Sequence, residues 1–508
     1  MNQKLELLQK QNEQAIHCGG EKAVAKQHSL GKYTARERIE KFLDAGSFHE
    51  TGRFVTHRCT DFNMSEKVIP ADGVITGYGT VNGRKVFVYA QDFTASGGSM
   101  GKMQAEKICA LMDLASEAGA PLIAMHDSGG ARIQEGVDAL SGYGNIFRRN
   151  AMNSGKIPQI ALMMGPCAGG ATYSPALMDF IIMVDQESKM FVTGPSVVKS
   201  ISGEDVTADQ LGGASIHAAK SGVSHFLVKN DDEALEYAKQ LLGYLPDNCN
   251  NKPQTVPYLM NRDSVYINQV IPDDDSPYDM YDIIDSLIDE RSFLEVQKEF
   301  AQNIIVGFAR MNGHSIGIVA NQPLVKGGYL DIDASDKGAR FINFCDAFNI
   351  PLINLVDVPG FVPGTQQEHA GVIRHGAKML YAYATAEIAK ITVIVRKAFG
   401  GGYMSMCSKE MGADMVFAWP SAEIAVMGAE GAVSVISHKE IEAALDPQAK
   451  KDELIKDYKD KFANPYFAAK RGYVDSVIEP NATRNELIAG LELLENKQHP
   501  DHKGNMPL

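Results

Sequence analysis

Two glycine clusters carry the chemistry this sequence can do. The first reads Gly165-Pro166-Cys167-Ala168-Gly169-Gly170-Ala171 and the second, far downstream, Phe399-Gly400-Gly401-Gly402-Tyr403. Each follows an apolar run, Ile-Ala-Leu-Met-Met at 160–164 and Ile-Thr-Val-Ile-Val at 391–395, so each reads as a strand entering a tight turn. A helix can start after either cluster, which leaves consecutive backbone N–H groups at its N-terminus with no acceptor inside the helix. Such a turn holds an oxyanion. Glycine suits it because a carbonyl can come close to backbone that carries no Cβ, and because positive φ is open to it. A packing turn with no ligand explains one cluster alone; a second at a matching position favours the functional reading.

Competing chemistry fits less well. Gly97-Gly98-Ser99-Met100-Gly101-Lys102-Met103 suggests a phosphate loop, but Ser96 stands where its first glycine belongs and Met103 replaces the magnesium-binding hydroxyl. His126-Asp127-Ser128 holds three triad residue types, yet as neighbours on a strand end their side chains diverge, and no G-x-S-x-G elbow accompanies them. Asp127 and its later counterpart Asp357 are expected to cap backbone N–H groups after a strand. Glu135, Glu368 and His369 are expected to be solvated loop residues. What is left is catalysis by backbone donors, where N–H groups aimed at a thioester oxygen stabilise the enolate formed at the α-carbon by about 3–4 kcal/mol per donor. Two such sites imply two carbonyls to polarise, one on an acyl group and one on a group carrier.

The elements that must position these clusters read as α/β. Residues 1–29 look like an exposed helix. Thr34-Ala35-Arg36-Glu37 forms a capping box for a short helix with Ile39, Phe42 and Leu43 on its apolar face, which Gly46 is expected to close. Strands at 74–77 and 85–89 flank Asn82-Gly83, a strong hairpin signal, and strands and helices then alternate. The pattern repeats. Asn82-Gly83 returns as Asn312-Gly313, Gly77 as Gly307, Lys107 as Lys337 and the 120–127 segment as 350–357, each 230 positions on. Upstream, the 39–48 segment returns at 284–293, an offset of 245, so the first copy carries a longer 50–72 connection. Past the clusters, Val192-Thr193-Gly194 returns as Val426-Met427-Gly428 at an offset of 234. Proline, Asn and Asp crowd residues 245–257 and 271–277 and mark a linker, placing the domains at 1–255 and 270–508.

A chain of 508 residues can bury two cores, and its net charge of −14 argues against nucleic acid or an anionic membrane as the main partner. Seven scattered cysteines without a C-x-x-C pair fit a reducing cytosol rather than a zinc site or a disulfide framework. Without an apolar run near 18 residues or a signal sequence, the expected location is the cytoplasm.

Three segments place the sequence more narrowly. Residues 165–176 (Gly-Pro-Cys-Ala-Gly-Gly-Ala-Thr-Tyr-Ser-Pro-Ala), 396–403 (Arg-Lys-Ala-Phe-Gly-Gly-Gly-Tyr) and 418–432 (Ala-Trp-Pro-Ser-Ala-Glu-Ile-Ala-Val-Met-Gly-Ala-Glu-Gly-Ala) closely resemble the carboxyltransferase subunits of biotin-dependent acyl-CoA carboxylases and decarboxylases, of the propionyl-CoA carboxylase beta and methylmalonyl-CoA decarboxylase alpha type. The resemblance runs from residue 34 to residue 475. It implies a tandem duplication of crotonase-like (ClpP/crotonase) ββα-spiral domains, and a homohexamer built from dimers with each active site between the N-domain of one subunit and the C-domain of its partner. It also implies carboxylate transfer between N-carboxybiotin and the α-carbon of a short-chain acyl-CoA, foremost propionyl-CoA and (S)-methylmalonyl-CoA, with acetyl-CoA/malonyl-CoA or glutaconyl-CoA as alternatives.

Carried over by position, Gly169 and Gly170 hold the CoA thioester on the N-terminal side, Gly401 and Gly402 hold the biotin ureido carbonyl on the C-terminal side, and Ala168, Ala171, Tyr173, Tyr403 and Met404 line the substrates. Relatives often carry Ala at the Gly402 position, read here as tolerable because the backbone acts. Met404 sits where the family tunes acyl choice. The resemblance calls for no metal in this subunit and no side-chain base, since biotin itself serves toward the α-proton. With no Ala-Met-Lys-Met motif and no ATP loop in the sequence, biotin must arrive on a separate carrier protein. A biotin carboxylase subunit or membrane decarboxylase subunits complete the system. A crotonase-type hydratase or isomerase is a more remote reading, because it needs Glu or Asp side chains beside the turns. A non-catalytic assembly scaffold is more remote still.

Overall fold

The computed structural model describes residues 1–16, 19–259, 264–272, 274–497 and 504–505. Two compact units divide the chain, the first formed by residues 1–252 with 502–507 and the second essentially by residues 253–501. Cys18 lies outside the described residues.

In the first unit β1 (His49–Thr51), β2 (Val74–Val81), β3 (Arg84–Gln91), β4 (Leu122–His126), β5 (Gln159–Met163), β6 (Pro166–Ala168), β7 (Phe180–Val184), β8 (Lys189–Phe191) and β9 (Phe226–Val228) follow in chain order. They form a seven-stranded sheet ordered β1-β2-β3-β4-β5-β7-β9 and a small β6-β8 pair. The first three strands pair antiparallel and the others parallel. β4, β5 and β7 are buried along their whole length, as expected where helices cover both faces.

The second unit repeats this plan with β10 (Leu294–Val296), β11 (Ile304–Met311), β12 (His314–Asn321), β13 (Leu352–Val358), β14 (Lys390–Phe399), β15 (Met415–Ala418), β16 (Glu423–Ala425) and β17 (Ser476–Val477). Its sheet runs β10-β11-β12-β13-β14-β15-β17, with β16 alongside β14. Both units show the α/β topology of the crotonase-like fold.

The offsets seen in the sequence are structural. The 230 shift maps β2 onto β11, β3 onto β12 and the start of β4 onto that of β13, while the 245 shift maps β1 onto β10. The change between them is taken up by the longer connection from β1 to β2. Each Asn-Gly turn has both residues at positive φ and both N–H groups held by one aspartate, Asp44 in the first copy and Asp289 in the second. Lys107 and Lys337 are buried ammonium groups that donate to carbonyls at the starts of β2 and β11, among them Val74 O at 2.6 Å and Ile304 O at 2.9 Å.

Two local expectations are corrected. Among the described residues the first 29 hold two helices, Asn2–Ile16 and Glu21–Ser29, and Gly20, at φ 83°, stands outside helical geometry at the start of the second. The capping box at Thr34 and Glu37 is present, but the helix stops at Phe42 with Leu43 extended, so Gly46 lies past the cap. Asp44 turns away there to bind the hairpin tip.

Candidate active site

The first cluster begins where β5 ends. β6 pairs with β8, Ala168 opposite Phe191, and a short helical turn starts at Gly169. In the second unit β14 continues through Phe399, which faces Ala425 of β16, and the helix Gly400–Ser405 follows. Aligning Ala168 with Phe399 puts Gly169 (φ 64°) on Gly400 (φ 54°). Gly170 then falls on Gly401, both exposed; Ala171 falls on Gly402, both buried; and Tyr173 falls on Met404, 49% and 38% exposed.

This alignment separates the glycines by task. Gly169 and Gly400 supply the left-handed residue that turns the chain. Gly170 and Gly401 present N–H groups in the first turn of a helix, with no intrahelical acceptor. A Cβ on Gly170 would meet only Tyr143 at 3.9 Å, and one on Gly401 only Phe361 at 3.6 Å. Gly402 differs. A Cβ there would stand 2.9 Å from Gly360 Cα and from Val358 Cγ2, so this glycine is required by packing and an alanine is not accommodated without backbone movement. The expected tolerance of Ala at 402 is thereby corrected.

Tyr403 is nearly buried and its hydroxyl has no hydrogen-bond partner among the described residues, while Met404 Sδ accepts from Ser408 Oγ at 3.3 Å. Tyr143, Phe147 and Tyr173 form a ladder of rings beside Gly170, with centroids 5.9 and 6.1 Å apart.

The segments after β4 and β13 flank the turns, a role the sequence reading missed. Gly130 lies close enough that a Cβ would be 3.2 Å from Ala168 O, and Gly360 abuts Gly402. The signal was available, because Gly130 and Gly360 are themselves 230 apart and each stands three residues after Asp127 or Asp357.

Titratable groups near the turns are silenced by burial. Desolvation lowers His126 to about 3 and pushes the Cys167 and Cys407 thiols up to about 12, so none is a base or thiolate suited to neutral pH. Glu135 is no solvated loop residue: its side chain is 6% exposed, pairs with Arg132 at 2.8 Å and caps Lys102 N. Glu368 and His369 are exposed on the helix Thr365–Ala370. Among the described residues Asp127 caps no backbone group. Its Oδ2 accepts from Lys32, Arg38 and Gln27, because the segment before the first hairpin delivers cations to the end of β4. Asp357 caps one, Lys397 N at 3.0 Å, and also accepts from Tyr278 and Arg396.

The carboxyl transferase domain matches residues 26–506. The chain belongs to the carboxyl transferase family. This carboxyltransferase is 55% identical to the propionyl-CoA carboxylase carboxyltransferase subunit of Haloferax mediterranei, covering 100% of both chains. It is 52% identical to the methylmalonyl-CoA decarboxylase subunit alpha of Veillonella parvula, over 100% of this chain and 99% of that one. Among solved structures, the transcarboxylase 12S hexamer with methylmalonyl-coenzyme A and methylmalonic acid bound matches with a TM-score of 0.96 and 53% identity, covering 100% of this chain and 98% of that one. The biotin-dependent propionyl-CoA carboxylases and methylmalonyl-CoA decarboxylases are thus the group in which this enzyme falls.

Proposed function

We propose that this carboxyltransferase, as a homohexamer, moves carboxylate between the α-carbon of methylmalonyl-CoA and biotin borne on a separate carrier protein. The observation that carries the reading is the matched pair of exposed glycines, Gly170 and Gly401, in the first turns of equivalent helical segments, where a Cβ would meet only a ring at ordinary van der Waals distance. The transcarboxylase 12S neighbour, solved as a hexamer with methylmalonyl-coenzyme A bound, supports the assembly and the substrate.

On this reading the Gly170 amide holds the thioester oxygen. As the bond between the α-carbon and the carboxylate breaks, its electron pair enters the thioester and the oxygen gains the charge that the amide stabilises. Gly401, beside Phe361, would offer its amide to the neutral ureido carbonyl. Biotin, when bound, would supply the nitrogen that takes up the carboxyl carbon and the proton that replaces it at the α-carbon. The half-exposed, apolar Met404 accommodates the acyl chain.

Incubating the purified enzyme with free biotin and, in turn, malonyl-, methylmalonyl- and glutaconyl-CoA tests this. The largest loss of carboxylate to biotin is expected from methylmalonyl-CoA. A different best donor would reassign the substrate, and no transfer from any would refute the reaction.

A further inference from the structure

The two aspartates that the sequence offered as caps occupy one structural position. Asp127 and Asp357 sit at the ends of the equivalent strands β4 and β13, and each faces an irregularity in the strand that feeds a glycine turn. In the second unit Val356 pairs with Ile394, but Val358 pairs with Ala398, so Asp357 stands opposite three residues, 395–397. In the first, His126 pairs with Met163 while Ser128 N donates to Pro166 O, so Asp127 likewise faces residues 164–166. Bulges of this kind re-aim the chain that follows them.

Each carboxylate pins its bulge by a different route. Asp357 Oδ1 accepts Lys397 N–H, and Oδ2 accepts from Tyr278 at 2.9 Å and from Arg396 at 3.0 Å, with the Arg396 guanidinium also donating to Ser276 O and lying 4.9 Å from the Tyr278 ring. Asp127 works through Arg38, which donates Nη1 to Asp127 at 2.9 Å, Nη2 to Met164 O at 3.1 Å and Nε to Asp231 at 2.8 Å. Gly165 leaves the room for this arrangement, since a Cβ there would fall 1.9 Å from Asp127 Oδ1. Gly170 follows the first bulge by four residues and Gly401 the second by the same number.

We propose that Asp127 and Asp357 are positioning residues, each fixing the bulged strand that aims one donor amide, Asp127 for Gly170 and Asp357 for Gly401. The kinetic part of this inference rests on the assignment of the two turns given above; the structural part does not.

The test compares Asp127→Asn with Asp357→Asn, backed by the milder Lys32→Met and Tyr278→Phe, which each remove one donor and leave the buried Arg–Asp pair in place. Crystal structures of the variants read the turns directly. Asp357→Asn should displace residues 400–402 and leave 169–171 in place, with Asp127→Asn doing the reverse. Kinetically, a displacement near 1 Å lowers kcat by up to about 100-fold. The KM for methylmalonyl-CoA should rise only in the Asp127 and Lys32 variants, and that for biotin only in the Asp357 and Tyr278 variants. Turns that stay in place, or losses that follow the drop in Tm and fall equally on both substrates, would overturn the proposal. Displaced turns in an enzyme whose KM values move in the opposite pairing would keep the positioning role and correct the ligand assignment.

Discussion

A single methyl group means different things at neighbouring glycines of these turns. At Gly402 it meets Gly360 Cα at 2.9 Å, so Gly402→Ala should destabilise the enzyme by about 1–3 kcal/mol, measurable as a lower Tm, before any effect on ligand contact. An unchanged Tm would show that the 358–360 segment yields easily. His126 makes a second prediction. Burial lowers it to about 3 from the ordinary 6.5, so the folded protein binds fewer protons than the unfolded chain between those values. Stability from this group is therefore present above pH 6.5 and lost as the pH falls toward 3. The other copy carries Val356 at the equivalent position, which makes His126→Val the natural variant. Its Tm should fall less steeply than that of the parent between pH 6.5 and pH 4, and parallel curves would contradict the assignment. At this scale the sequence revealed which residues mattered more readily than what they touch. The glycines were legible because no other residue type serves a close approach; the partners of Asp127 were not, since Gln27, Lys32 and Arg38 lie about ninety to a hundred positions before it in the chain.

Among the elements, the two Asn-Gly hairpins form a natural control. Gly83 and Gly313 share a φ of 77°, yet a Cβ on Gly83 would meet nothing within 4 Å, whereas one on Gly313 would fall 2.0 Å from Val256 O. Gly83→Ala should cost only the left-handed strain of about 1–2 kcal/mol. Gly313→Ala should cost more, because the 253–257 segment must also move. Equal drops in Tm would mean that this segment is held loosely. Turn chemistry of this kind is read from two residues, which is why both hairpins could be located in advance. The bulge in β14 could not, because an apolar run passes without a break into Arg396, and only the pairing with β13 shows where the register slips. The break between the two N-terminal helices was missed for a related reason: a mostly polar segment has no apolar stripe whose interruption would expose it.

The whole molecule is two copies of one plan, with the equivalent strands in equivalent order and each copy carrying its own buried core. Duplication was legible as constant offsets because hairpin tips, strand lengths and buried lysines cannot drift without losing register. The matching of exposed Gly170 with exposed Gly401 was hidden in the sequence, where the second cluster has three glycines in a row and no way to choose among them. That match carries the central claim of the proposed function, in which two main-chain amides, one per copy, polarise the two carbonyls. Gly170→Val and Gly401→Val test it most directly, because a Cβ at either site meets only ordinary van der Waals contact and neither residue has positive φ. The measurement is transfer of carboxylate from methylmalonyl-CoA to free biotin by each variant, with Tm and hexamer mass recorded alongside. A fall of at least about 100-fold in both variants, with Tm and assembly retained, is the predicted result. Either variant turning over at the parent rate would contradict it.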